Sequence, residues 1–186
     1  MRADAQKNYD QLLAVASVVV TEEGAGASLR DIARRAGVGL GTMHRHFPTR
    51  ETLLEALLRT GFDGLTARAA ELEVSGSAGD ALASWLREFV ACAANYRGVI
   101  ASMVAAIEDP ESALHASCVG MKAAGARLLV RAQAEGAART DIDGTDLYAI
   151  AGGLAWVSDQ PAFAARTDHL FDVVTSAILR DRATSR

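Results

Sequence analysis

The chain has little with which to cross a membrane, cross-link itself or build a sheet. Its 186 residues include only two cysteines, Cys92 and Cys118, so no disulfide framework of the kind small secreted domains use is expected. No apolar run approaches the roughly 20 residues that span a bilayer, and the N-terminus lacks the basic-then-apolar form of a secretory signal. The expectation is a soluble, cytoplasmic, reduced protein with no membrane partner. There are three prolines, and aromatic residues make up 5%. With abundant alanine and leucine and no strand-like alternation, that scarcity of helix breakers points to an all-α fold. Catalytic groupings are missing as well. No Ser-His-Asp set, paired carboxylates or metal-ligand cluster stands at usable spacing, so no catalytic residue, metal or cofactor is expected.

What is present is concentrated in Ser28 to Arg50, SLRDIARRAGVGLGTMHRHFPTR. Ser28 with Asp31 three residues on forms a capping-box pattern, which predicts a helix from Leu29. Leu29, Ile32, Ala33 and Ala36 give it one apolar face, and Gly37 supplies a left-handed residue to end it. After a turn over Gly37 to Gly39, a second short helix is expected over Leu40 to Phe47. Met43 and Phe47 point inward there, while Gly41, Thr42 and Arg45 face outward with His44 and His46 on the flanks. Two helices joined by a tight turn form a helix-turn-helix, and the outward face suits a major groove. Arginine can pair bidentately with guanine there, and small residues permit close approach. Arg30 and Arg50 each lie in the first turn of a helix, where the macrodipole repels cations. A phosphate at that end reverses the repulsion, so both are read as DNA-backbone contacts. Ser28 and Leu40, at the helix starts, complete the expected DNA-binding set.

The net charge is −4, which suits a DNA binder only when its distribution is considered. Residues 28–50 carry five arginines against Asp31 alone, whereas residues 61–186 carry eleven basic and sixteen acidic residues. The positive charge is local, as a footprint on phosphates requires.

Over about residues 8 to 60, the segment, the helix before it and the following PTRETLLEALL resemble the DNA-binding domain of TetR-family transcriptional regulators. Ile32, Ala33, Ala36-Gly37-Val38, Gly41-Thr42, Arg45-His46-Phe47 and Arg50-Glu51 stand in the family's places. His44 replaces the usual tyrosine, whose ring packs beside the DNA backbone, and Arg50 replaces the usual lysine. The resemblance implies a ligand-responsive repressor that binds a palindromic double-stranded DNA operator as a homodimer and is released by a small-molecule effector.

About nine helices are expected in all, with residues 1–48 as the helix-turn-helix domain and 49–186 as a helical effector-binding and dimerisation domain. The first runs over about Ala3 to Glu23. A fourth, over about Thr49 to Leu72, links the domains. Others are expected over Asp80 to Ala94, Gly98 to Ile107, Ser112 to Gly136, Thr145 to Ser158 and Asp168 to Arg182. By the resemblance, the last two pair with a partner subunit through Leu147, Ile150, Leu154, Val157, Phe171, Val174 and Ile178, and Gly152-Gly153 lets another backbone come close. GGLAWVSDQ, beginning at Gly152, also resembles the SbtR-like C-terminal class. Trp85, Phe89, Tyr96, Met103, His115, Met121 and Trp156 are candidates to line a ligand cavity, with ordinary core packing as the alternative.

Rival readings of single motifs are weak. His44 and His46 diverge on a helix and lack a third ligand, and cysteines in apolar helices are usually inert core. DIDGTD has its glycine too early for an EF-hand and no distal glutamate, and it reads instead as a solvated turn that caps the next helix. An all-helical adaptor or an enzyme that retains the fold without operator binding is the alternative function. The intact Arg30, Thr42, Arg45 and Arg50 set argues against it.

Overall fold

The computed structural model describes residues 2–158 and 160–180. Among these the ordered elements are helical: α1 (Arg2–Glu23), α2 (Leu29–Arg35), α3 (Leu40–His46), α4 (Arg50–Glu73), α5 (Ala78–Asn95), α6 (Arg97–Ser102), α7 (Val104–Glu108), α8 (Ala113–Ala134), α9 (Gly144–Ser158) and α10 (Thr167–Ile178), with one 3-10 turn at Ala164–Arg166. The chain forms two compact units. One holds the residues up to Gly61 together with Tyr96–His115; the other holds Phe62–Asn95 together with the residues from Ala116 onward.

In the first unit the short helices are fixed by their ends. The Ser28 hydroxyl accepts the Asp31 amide at 3.5 Å and opens α2, while the Asp31 carboxylate turns to Arg34 instead of completing the box. Gly37, at φ +65°, closes the helix in a Schellman arrangement. Its amide donates to Arg34 at 3.2 Å and that of Val38 to Ala33 at 2.9 Å, which satisfies carbonyls the helix end leaves open. Gln11 of α1 donates to a further one, Ala36 O, at 2.8 Å. Leu12, Ala16, Val19 and Val20 from α1, Ile32 and Ala33 from α2, Met43 from α3 and Leu53, Leu54, Leu57 and Leu58 from α4 are buried. Burial of each larger side chain contributes about 1.5–3 kcal/mol before entropy is counted.

The expected helix over Gly98 to Ile107 is two helices, α6 and α7, broken at Met103 (φ −108°, ψ 8°). No glycine or proline marks the break. Within the same unit, the Tyr96 and Ser17 hydroxyls hydrogen-bond at 2.7 Å, and His115 Nδ1 donates to Ile107 O at 2.7 Å.

The second unit is organised around α5 and α9. Leu82, Trp85, Leu86, Phe89 and Val90 of α5 are buried, as are Leu147, Ala151, Leu154 and Ala155 of α9. Trp85 Nε1 donates to Leu65 O of α4 at 2.9 Å. Its ring lies on Gly125 so closely that a Cβ there would come within 2.4 Å of the indole. Arg131 closes the C-terminal end of α4 by donating to Leu72 O, Ser75 O and Gly76 O at 2.9, 3.1 and 2.8 Å. Helix α5 starts at Ala78 instead of Asp80 because Ser77 caps it, accepting the Asp80 amide at 3.4 Å. The DIDGTD turn is a capping box for α9. Asp143 accepts the Thr145 and Asp146 amides at 2.7 and 3.0 Å, and Asp146 accepts that of Asp143 at 3.1 Å. Helix α10 ends at Ile178, short of the expected Arg182, which lies outside the described residues. The chain leaves it to pair with the segment after α8: Arg139 N donates to Ile178 O and Arg180 N to Ala137 O, each at 2.9 Å.

Candidate nucleic-acid interface

Helix α3 is held from beneath and open above. Met43 and Phe47 are buried, and Tyr9 of α1 stacks on Phe47 at 5.2 Å between ring centroids. Tyr9 also meets His46 edge-on at 5.8 Å, so His46 is partly engaged in packing. Gly41, His44 and Arg45 are exposed and Thr42 is half-buried. A Cβ added to Gly41 would meet nothing within 4 Å, which leaves room for a close backbone approach. Arg45 Nη2 donates to the Thr42 hydroxyl at 2.7 Å, so guanidinium and hydroxyl form one polar group on the open face. Leu40 is exposed at the helix start, beside the Gly39 cap.

The five arginines of this region divide by partner. Arg35 is neutralised by Glu22 and Glu23 at 3.0 and 2.7 Å, tying α2 to α1, and Arg34 meets Asp31 at 3.2 Å. The Glu22 carboxylate holds the Arg35 guanidinium above its usual range, with Glu23 adding to the effect. Among the described residues no carboxylate lies within ion-pair distance of Arg30, Arg45 or Arg50, and all three are exposed. Arg50 opens α4 behind a reciprocal cap, in which the Thr49 and Thr52 hydroxyls each accept the other's amide at 3.2 Å. The Glu51 carboxyl is held below its ordinary range by its own backbone amide and by Thr49. That anion suits the positive helix end, whereas Arg30 and Arg50 oppose theirs.

Residues 12–57 match bacterial regulatory proteins of the tetR family, and residues 77–178 match the C-terminal domain of SbtR-like transcriptional regulators. A TetR transcriptional regulator of Streptomyces coelicolor is 34% identical over 92% of this chain and 98% of its own, with a TM-score of 0.75. This chain is a TetR-family transcriptional regulator. A TetR transcription regulatory protein of Mycobacterium vanbaalenii is 29% identical over 96% of this chain and 99% of its own, with a TM-score of 0.69. The transcriptional repressor KstR2 of Rhodococcus jostii is 34% identical over 67 residues, 36% of this chain. The chain thus matches only about a third of the length of the curated relatives.

As in other TetR-family regulators, the helix-turn-helix is a DNA-binding unit set in an all-helical chain. The candidate ligand residues of this regulator are divided between the two units. Tyr96, Met103 and His115 belong to the first; Trp85, Phe89, Met121 and Trp156 belong to the second. Trp85 and Phe89 border a small cavity and Met121 is fully buried, but Trp156 is 66% exposed and faces solvent. Sequence reasoning missed Lys122, Gly125 and Tyr148, which border the same cavity from α8 and α9. Lysine, glycine and tyrosine on separate helices leave no periodic signal. Of the residues expected at a partner interface, Leu147, Leu154, Phe171 and Ile178 are buried within the protomer, and Ile150, Val157 and Val174 remain open or half-open. Apolar periodicity cannot distinguish the protomer's own core from a contact with a second chain. Among the described residues no helix is long and apolar enough to cross a membrane.

Proposed function

We propose that this regulator is a repressor. In this reading it binds a palindromic operator as a homodimer and leaves it when a small-molecule effector binds the helical part of the chain. Residues 1–48 are the DNA-reading domain and 49–186 the effector and dimerisation domain, with α4 as the link. One arrangement carries the reading: the Gly41, Thr42 and Arg45 face stands open over buried Met43 and Phe47, and Arg30 and Arg50 are exposed with no carboxylate partner among the described residues. Arg45, set by Thr42, reads a base edge with Gly41 beside it. Ser28, Arg30, Leu40, His44, His46 and Arg50 position the helix on phosphates and sugars. One seven-residue helix contacts too little DNA to select a genomic site alone, which is why two copies are needed. Effector release requires tighter binding to the conformation that does not fit DNA.

Support for a partner on α9 comes from its centre. Gly152 and Gly153 meet nothing within 4 Å where a Cβ would stand, so neighbours in the protomer do not require glycine there. Exposed Trp156 and Ile150 lie on the same helix, and exposed Val173 lies on α10.

The test is binding to DNA upstream of the protein's own gene, measured across salt concentration. Arg30 and Arg50 in two copies neutralise four phosphates, so the logarithm of the binding constant should fall against log salt with a slope of about −4. A lack of binding to every upstream or genomic fragment at low salt would sink the repressor reading.

A further inference from the structure

A small, partly open cavity in the second unit has the chemistry to choose an effector. It measures about 10 Å³, room for a single water. Trp85, Phe89, Lys122, Gly125, Leu147 and Tyr148 border it, and among the described residues no carboxylate lines it. Three rings make the wall. Trp85 stacks on Phe89 at 5.6 Å between centroids, and Phe89 meets Tyr148 edge-on at 5.6 Å. The Lys122 ammonium sits 4.1 Å from the Tyr148 ring centroid, facing a π cloud. That contact is worth only about 0.5–1 kcal/mol at an exposed site, so an anion would displace it readily.

We propose that this cavity opens to a small, flat aromatic anion, whose ring enters among Trp85, Phe89 and Tyr148 while its charge stays at the edge on Lys122. The proposal rests on the effector reading above and names the class of ligand. A ring gains by burial against the aromatic wall, and its charged group cannot follow it inside without a partner. Lys122 is the cation among the described residues that border the cavity and favours an anion over a neutral ligand, and with no carboxylate among them a cation would find no partner.

The same geometry provides a route to α4. Gly125 closes one side of the Trp85 ring, and the single polar atom of the indole is bonded to Leu65 O. An entering ring that displaces Trp85 therefore strains or breaks its bond to α4, the helix whose first residue is Arg50.

Calorimetry with two matched pairs, benzoate with benzamide and 2-naphthoate with 2-naphthamide, tests the class. Each carboxylate should bind once per protomer and about tenfold or more tighter than its amide, the range of one charge-assisted contact. Lys122→Met should abolish the preference and Lys122→Arg should keep it. In a Trp156→Phe background Trp85 is the only tryptophan, so its emission should shift on binding if the ligand lies where we place it. Amides that bind as tightly as the acids, a preference that survives Lys122→Met, or no carboxylate binding would each overturn the proposal. Release of upstream DNA by an amide would overturn the anion class while leaving the effector reading intact. Carboxylate binding that leaves DNA affinity unchanged would remove the coupling through Trp85.

Discussion

Arg45 and Arg50 are both exposed arginines near the turn, yet their surroundings separate their roles. Arg45 is steered by Thr42 across the open face of α3, whereas Arg50 sits in the first turn of α4 among freed amides. Arg45→Ala should therefore relax selection at one operator position by about 1–3 kcal/mol. Arg50→Ala should weaken all sequences alike. A binding assay against a set of singly mutated operators separates the two, and equal profiles would undo the distinction. The cysteines give a second prediction at this scale. Burial pushes the Cys92 thiol up to about 11, and it also raises Cys118 despite Lys122 nearby. With a pKa near 11, only about one Cys92 in a thousand is a thiolate at pH 8. Buried Cys118 and half-buried Cys92 should both resist a thiol-exchange reagent in the native protein and react promptly in denaturant, and fast native labelling at Cys118 would contradict its burial.

Among the elements, α8 depends on a residue it lacks. Gly125 sits in the middle of a 22-residue helix, where glycine costs about 1 kcal/mol relative to alanine, yet the Trp85 ring occupies the space a side chain would need. Gly125→Ala should thus lower stability by about 1–3 kcal/mol through overpacking. A denaturant melt checks the sign, since relief of the glycine cost alone would raise the midpoint. The helix ends that were legible in the sequence were those with local causes, such as Ser28 opening α2, Gly37 closing it, and the aspartates before α9. What was not legible has distant causes. The break at Met103 has no turn residue, α10 stops because its chain pairs with the segment after α8, and Lys122, Tyr148 and Gly125 come together only when α8 and α9 pack. The site divides in the same way. The open face of α3 follows from its own periodicity, whereas the loss of Arg35 to Glu22 and Glu23 and the hold of Tyr9 on His46 require α1 in place.

For the molecule as a whole, the proposed homodimer would place Trp156 in an interface and would explain why so large an apolar side chain is left 66% exposed. Sedimentation at micromolar concentration should find a dimer, and Trp156→Glu should shift it toward monomer while the thermal transition of the fold is retained. A wild-type monomer, or an unchanged dimer in the variant, would remove the interface from this face.

The open glycines of α9 set heat tolerance against association. Gly152 and Gly153 have space around them within their own protomer, so alanine at either would stiffen the helix by about 1 kcal/mol without a clash. A population of lone chains selected only for heat tolerance would be expected to drift to alanine at both positions, and in doing so would fill the gap through which a second backbone could approach.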